Sequence, residues 1–303
     1  MLIARITGGI GNQLFQYAFV RSLSIKFNKK FKLDLSWYRD YDKYEESINP
    51  NAATKREYLL DKFNITENLL NRLYISISYR LNNYPSLKKI TNYPLIRYFS
   101  YKTIKESDFD IERIDNYNNI YLNGFWQNSN LLEEYRDTLE KDVTLKTTLS
   151  EKNKLYLNRI EDSNSIAIHF RRGDLLSRPV AVADQPSSTD DYYYNAVNIM
   201  NEKVNNPELF VFSDDIRWIE KNYKFDIPTT YINSNGPDYE HFNLMCYCKH
   251  QIIANSTFSW WAAWLNNNQE KIVISPKWWY RDPVKNESII RIPQNWLVLN
   301  NLQ

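Results

Sequence analysis

The sequence predicts an α/β protein built on parallel sheets and divided into two domains. Three observations lead there. From residue 163 onward, short apolar runs alternate with amphipathic runs five times over short connections, the pattern of strands wound by helices. The chain also begins with an apolar run, a glycine-rich turn and an amphipathic stretch, a strand–turn–helix order that suits the same architecture. Finally, 303 residues exceed the usual size of one domain.

The elements follow in order. Residues 2–6 read as a short buried strand. Residues 12–27 read as a helix, with Leu14, Phe15, Ala18, Phe19 and Leu23 on one apolar face. A second strand is expected over 31–35 and a helix over 66–80, within a Tyr- and Asn-rich stretch (36–118) of weak pattern. Residues 119–122 form a strand, followed by Gly124-Phe-Trp-Gln127 and a helix over 129–141. The regular region then predicts strands at 165–170, 209–212, 229–232, 251–254 and 271–274. Helices fall between them at 190–204, 214–223, 239–249 and 257–267. The domain boundary is placed at 160, giving units 1–160 and 161–303.

Composition narrows the function classes. The chain has 38 basic and 36 acidic residues, a net charge of +2, which argues against nucleic acid as a partner. No apolar run approaches the roughly 20 residues of a membrane span, and no signal peptide is expected. The 2 cysteines, Cys246 and Cys248, fit neither a disulfide framework nor a zinc site, so a reducing compartment is expected.

In parallel α/β sheets, ligands bind beyond the carboxyl ends of the strands. Four such ends carry chemistry. The first is Thr7-Gly-Gly-Ile-Gly-Asn-Gln13, which holds three of the 6 glycines in the chain. It serves either as a tight turn or as a helix start open to an anion. It matches neither the dinucleotide fingerprint nor the P-loop. The second is His169-Phe-Arg-Arg-Gly-Asp174, where a guanidinium fork at a firm strand end suits phosphate oxygens. The third is Phe212-Ser-Asp-Asp215, whose carboxylates suit a ribose or a base N–H, and whose Ser213 or Asp214 also suits a helix N-cap. The fourth is Asn255-Ser-Thr-Phe258, a second helix start with two hydroxyls, again either cap or anion site. Trp260, Trp261 and Trp264, at helical spacing, read as packing. Two D-x-D triplets, at 40–42 and 108–110, follow no convincing apolar strand, and the three histidines are scattered. The ensemble suits a nucleoside diphosphate ligand without an obligatory metal. A non-catalytic sugar- or nucleotide-binding protein is the competing class. It leaves unexplained an arginine at one strand end and a hydroxyl pair at another.

Five segments occur in order: Gly8-Gly-Ile-Gly-Asn-Gln-Leu-Phe-Gln-Tyr17, Gly124-Phe-Trp-Gln127, His169-Phe-Arg-Arg-Gly-Asp174, Phe212-Ser-Asp-Asp215 and Cys248-Lys-His-Gln-Ile-Ile-Ala-Asn-Ser-Thr-Phe-Ser-Trp-Trp-Ala-Ala-Trp264. Together they closely resemble the bacterial α-1,2-fucosyltransferases of glycosyltransferase family 11. The resemblance runs from residue 1 to about 280, with 36–118 poorly matched. It implies a GT-B-type fold, two Rossmann-like domains with a cleft between them. It implies transfer of L-fucose from GDP-β-L-fucose to the 2-hydroxyl of a terminal galactose, with inversion and no metal or other cofactor. The acceptor is then a galactose-terminated oligosaccharide or lipid-linked glycan, as in O-antigen biosynthesis. The location is then cytoplasmic, with peripheral contact at the inner membrane. By the same likeness, Arg171 grips the β-phosphate, Ser256, Thr257 and Phe258 hold the diphosphate, and Gly9 and Gly11 lie on the donor. Asp214 or Asp215 meets the guanine or ribose, His169 the ribose side, and Asn12 the fucose and acceptor. The catalytic base is left open among Glu240, Asp174, Asp191 and the leaving phosphate itself. The chain departs from the family between Asp174 and Tyr192. Leu175 follows the Asp where many members have Tyr, and Ala183-Asp-Gln-Pro-Ser-Ser-Thr-Asp-Asp-Tyr192 lacks their His-Gly pair. Acceptor identity stays open there.

Overall fold

A computed structural model describes residues 1–39, 56–83, 98–127, 130–172, 184–234, 236–289 and 292–302. It divides into two compact units, Met1–Thr144 and Leu145–Gln303. Both are α/β units on wholly parallel sheets, as the alternation predicts. The division falls before residue 160 because the helix over Glu151–Asp162 packs within the second unit.

The first unit carries a four-stranded sheet in the order β2-β1-β4-β3. Its strands are β1 (Leu2–Arg5), β2 (Phe31–Asp34), β3 (Lys102–Lys105) and β4 (Ile120–Asn123). Leu2, Ile3 and Ala4 are buried because both faces of β1 are covered. One is covered by α1 (Ile10–Lys26), whose Leu14, Phe15 and Ala18 are fully buried. On the other, Ile3 packs with Leu70 and with Tyr74 of a helix at Arg72–Asn83. The strand β3 was not apparent in the sequence. It is an edge strand in which only Ile104 is buried among lysines, a pattern that also discourages pairing with another chain. The helix expected over 129–141 is two, Asn130–Glu134 and Arg136–Asp142, broken where Tyr135 takes φ −120° and ψ 24°. Asp142 accepts hydrogen bonds from Tyr17 Oη at 2.6 Å and Arg21 Nε at 2.8 Å, fastening α1 to the end of the unit. Burial pushes the Tyr17 phenol well above its ordinary range.

The second unit carries a six-stranded sheet in the order β10-β9-β8-β5-β6-β7. The strands are β5 (Asn164–Phe170), β6 (Pro207–Ser213), β7 (Thr229–Tyr231), β8 (His250–Ile252), β9 (Val273–Pro276) and β10 (Leu297–Leu299). Alternation along β5 sends Ile166, Ile168 and Phe170 into a core with Tyr192, Tyr193, Ala196 and Met200 of the Asp190–Lys203 helix. Beyond β8 runs the helix Thr257–Leu265, in which Trp260, Trp261 and Trp264 are buried packing residues, as their spacing predicts. The chain winds outward from β5 to β7, returns, and lays β8 on the opposite side of β5. The order reverses between β5 and β8, and this is the topological switch point at which ligands of such sheets sit.

The helix Asp238–Tyr247 is tied to the Glu151–Asp162 helix by one buried acid. Glu240 Oε2 accepts from Ser150 N at 3.0 Å, Ser150 Oγ at 2.7 Å and Asn153 Nδ2 at 2.6 Å. Burial alone raises its pKa, but the hydrogen bonds from Ser150 and Asn153 outweigh it and hold the carboxyl below its usual range. A group lowered in the folded state stabilises above its unfolded pKa and loses that contribution as the pH falls through the folded value. Glu240→Gln is therefore expected to cost about 1–3 kcal/mol at neutral pH. Denaturant unfolding should show this gap narrowing as the pH drops below the carboxylate range.

Candidate functional site

The switch point gathers most of the candidates in the second unit. Arg171 follows β5 directly, and its Nη1 donates to Asn255 O at 3.0 Å and to Gln185 Oε1 at 3.0 Å. The Asn255 carbonyl lies just before the Thr257–Leu265 helix, so the guanidinium and that helix start are neighbours. Asn255 itself is buried and donates to Pro186 O at 2.6 Å, which fixes the strand end against the 184–186 segment. Ser256 is the N-cap, its Oγ accepting from Phe258 N at 3.3 Å. His169 is buried on the same side, its ring tilted against Phe258 at 5.5 Å. Arg171, His169, Ser256 and Phe258 thus form one cluster, with Thr257 in its chain. Cation and helix N-terminus together suit an anion.

Arg172 goes the other way, as adjacent strand-end residues do. Its guanidinium carbon lies 3.3 Å from the centroid of Trp218, and its Nε is 3.7 Å from Asp215 Oδ2. Its backbone N–H donates to Asp214 Oδ1 at 3.0 Å. Asp214 and Asp215 therefore stand beside Arg172. Asp215 is the N-cap of the helix Ile216–Asn222, without a side-chain cap bond.

The base candidates separate. Glu240 is committed to Ser150 and Asn153, Asp191 is an exposed residue in the first turn of its helix, and Asp174 lies outside the described residues. Of the D-x-D triplets, 40–42 also lies outside them. In the other, Asp110 caps a 3-10 helix by accepting from Glu112 N, and pairs with Arg113. Sequence reasoning missed Gln185. It falls in the stretch that departs from the family pattern, which was the available signal.

In the first unit the glycine turn is held from several sides. Gln16 Oε1 accepts from Thr7 N at 2.8 Å, and Gln13 Nε2 donates to Gly8 O at 3.0 Å and to Glu57 O at 2.8 Å. Tyr38 Oη also donates to Gly8 O, at 2.8 Å. Asn12 Oδ1 accepts from Gln127 Nε2 at 3.0 Å, bringing the Gly124-Phe-Trp-Gln127 loop onto the start of α1. Gly11 is buried within the first turn of α1.

The glycines divide by cause. Gly8 has φ +78°, and a Cβ there would stand 3.0 Å from Asn12 Nδ2, so the chain itself requires glycine. Gly9 has φ −79° and ψ 173°, open to any residue, and a Cβ there would meet nothing within 4 Å. Among the described residues, neither backbone conformation nor space gives a reason for glycine at position 9. Gly9→Ala is expected to unfold within about 2 °C of wild type, since it touches nothing. Gly8→Ala should lose roughly 1–2 kcal/mol to left-handed strain. Thermal melts of the two variants check this, and early melting of Gly9→Ala would return that glycine to the chain's own needs.

Among the described residues, no helix is long and apolar enough to cross a membrane, and no three His, Cys, Asp or Glu side chains gather as a metal site. The chain is 30% identical to an alpha-1,2-colitosyltransferase of Escherichia coli, over 98% of each chain. It is 30% identical to the O-antigen biosynthesis glycosyltransferase WbnK of Escherichia coli, over 91% of this chain and 93% of that one. A galactoside 2-alpha-L-fucosyltransferase Sec1 of Mus musculus is 25% identical over 43% of this chain and 38% of its own. The profile of Glycosyl transferase family 11 matches residues 1–300, and the chain belongs to that family.

Proposed function

We propose that this glycosyltransferase moves L-fucose from GDP-β-L-fucose to the 2-hydroxyl of a terminal galactose, with inversion and without a metal. The observation that carries the reading is Arg171 at the switch point, anchored to the carbonyl that precedes the Thr257–Leu265 helix. As the sugar leaves, negative charge builds on the β-phosphate. A guanidinium held in one orientation, beside a helix start, meets that charge without having to reorganise. Asp214 or Asp215 serves the guanine or ribose. The acceptor proton passes to Asp174 or to the departing phosphate, since the carboxylate of Glu240 is engaged by three donors. A glycan acceptor of the O-antigen type, either a galactose-terminated oligosaccharide or a lipid-linked glycan, fits the kinship with the O-antigen biosynthesis glycosyltransferase WbnK.

A second reading, a colitosyl donor in place of a fucosyl one, is favoured by the colitosyltransferase relative. Competition between the two GDP-sugars in one assay separates them.

Arg171→Lys keeps the charge and loses the fork. Its kcat should fall by roughly two to three powers of ten, the size of a lost transition-state donor. Arg172→Lys should cost about 1 kcal/mol of stability through its contact with Trp218 and spare kcat. Equal, mild kinetic effects of the two would remove Arg171 from the chemistry. Steady-state assays in excess EDTA should retain full activity, and complete loss restored by manganese would contradict the metal-free reading.

A further inference from the structure

We propose that Phe125 is the stacking platform for the pyranose ring of the acceptor, an inference that rests on the galactoside-transfer reading above. The loop after β4 is fixed at four points. Glu106 Oε2 accepts from Phe125 N at 2.9 Å and its Oε1 from Gln127 N at 3.1 Å. Gly124 O accepts from Gln16 Nε2 at 3.3 Å, and Gln127 Nε2 reaches Asn12. Between these points Trp126 takes φ +58°, in the left-handed region that a bulky side chain rarely adopts. Its ring is 3% exposed and stacks on Phe19 at 4.4 Å and 6°. Strain of this kind persists only where the surroundings over-determine it, and it collects at ligand clamps.

What this machinery achieves is the display of one ring. Phe125 is 48% exposed, and among the described residues no other ring touches it. A singly exposed apolar side chain is ordinary. This one differs because a carboxylate, two glutamines and a strained tryptophan hold its backbone in place. Two other exposed rings lean on neighbours, Tyr98 on Tyr74 and Phe99 and Tyr194 on Tyr223 and Phe225, while Tyr247 ends the Asp238–Tyr247 helix with no such fixed loop around it. Phe125 stands beside the start of α1, where Asn12 carries an amide and Gly9 leaves the space above the backbone open.

A flat ring with a negative π-face next to amide groups suits a ligand with an apolar C–H face and a rim of hydroxyls. A galactopyranose has this form. Its axial 4-hydroxyl leaves the hydrogens on C3, C4 and C5 together on one face, whereas its gluco epimer interrupts that patch. A purine also stacks on aromatic rings, so the test must separate acceptor from nucleotide.

The experiment compares the full-length Phe125→Leu and Phe125→Trp variants with wild type. Three quantities are read: the KM for lactose with GDP-fucose as donor, the Kd for GDP, and the melting temperature. Phe125→Leu is expected to raise the lactose KM about tenfold, the loss of one stacking contact. Phe125→Trp should stay within about threefold of wild type, since it keeps the π-face. Both should melt with wild type and bind GDP as it does. An unchanged KM in Phe125→Leu overturns the inference while leaving the transferase reading intact. So does a loss confined to GDP binding, which assigns the ring to the nucleotide. If wild type binds GDP but transfers to no galactoside, the acceptor reading falls and the platform falls with it.

Discussion

The pairing of β5 with β8 is the constraint on which the second unit's chemistry depends. Parallel neighbours cannot be joined by a hairpin, and here the chain runs through β6, β7 and their helices before returning to β5. The register Ile166↔His250 through Ile168↔Ile252 brings the two carboxyl ends level. Arg171 then meets the Asn255 carbonyl, and His169 meets Phe258. Had β8 been added beyond β7, the same residues would stand several strands apart. The buried tryptophans behind β8 and the Tyr192 Oη bond to Ile253 O, at 2.6 Å, keep that edge of the sheet in place.

Acidic residues show how far function can be read without coordinates. Glu106, Asp110, Asp142 and Glu240 all resemble candidate bases or metal ligands in a sequence. Each is occupied: Glu106 with two backbone N–H groups, Asp110 with a helix start, Asp142 with Tyr17 and Arg21, Glu240 with Ser150 and Asn153. Burial and partners decide the role of a carboxylate, and neither is written in residue type. Arg171 and Ser256 were legible because their positions at strand ends follow from period and punctuation alone. Gln185 was not, because it is a neutral amide in an irregular stretch and gains its meaning only from a partner in another segment.

The fold shows the same division. Strands buried on both faces, such as β5 and β6, announce themselves as apolar runs. Two of the edge strands, β3 and β10, do not. Lys102-Thr-Ile-Lys105 buries one side chain, and Leu297 and Val298 of β10 are exposed, so tertiary pairing rather than local pattern makes them strands. The helix Glu151–Asp162 buries only Asn153 and Ile160, too thin an apolar stripe to mark it. Its identity comes from the polar clamp to Glu240. The boundary between the units falls earlier than pattern suggested for this same reason.

The bond between Tyr17 and Asp142 spans 125 residues and closes the first unit near its own end. A ribosome delivers the chain from the amino terminus, so α1 emerges long before its acid partner does. Until then a phenol destined for the interior has no carboxylate to accept its hydrogen bond, and sealing it away is unfavourable. The Tyr17–Asp142 bond is therefore deferred until the Arg136–Asp142 helix has left the exit tunnel. The bond itself requires no residue translated after that point.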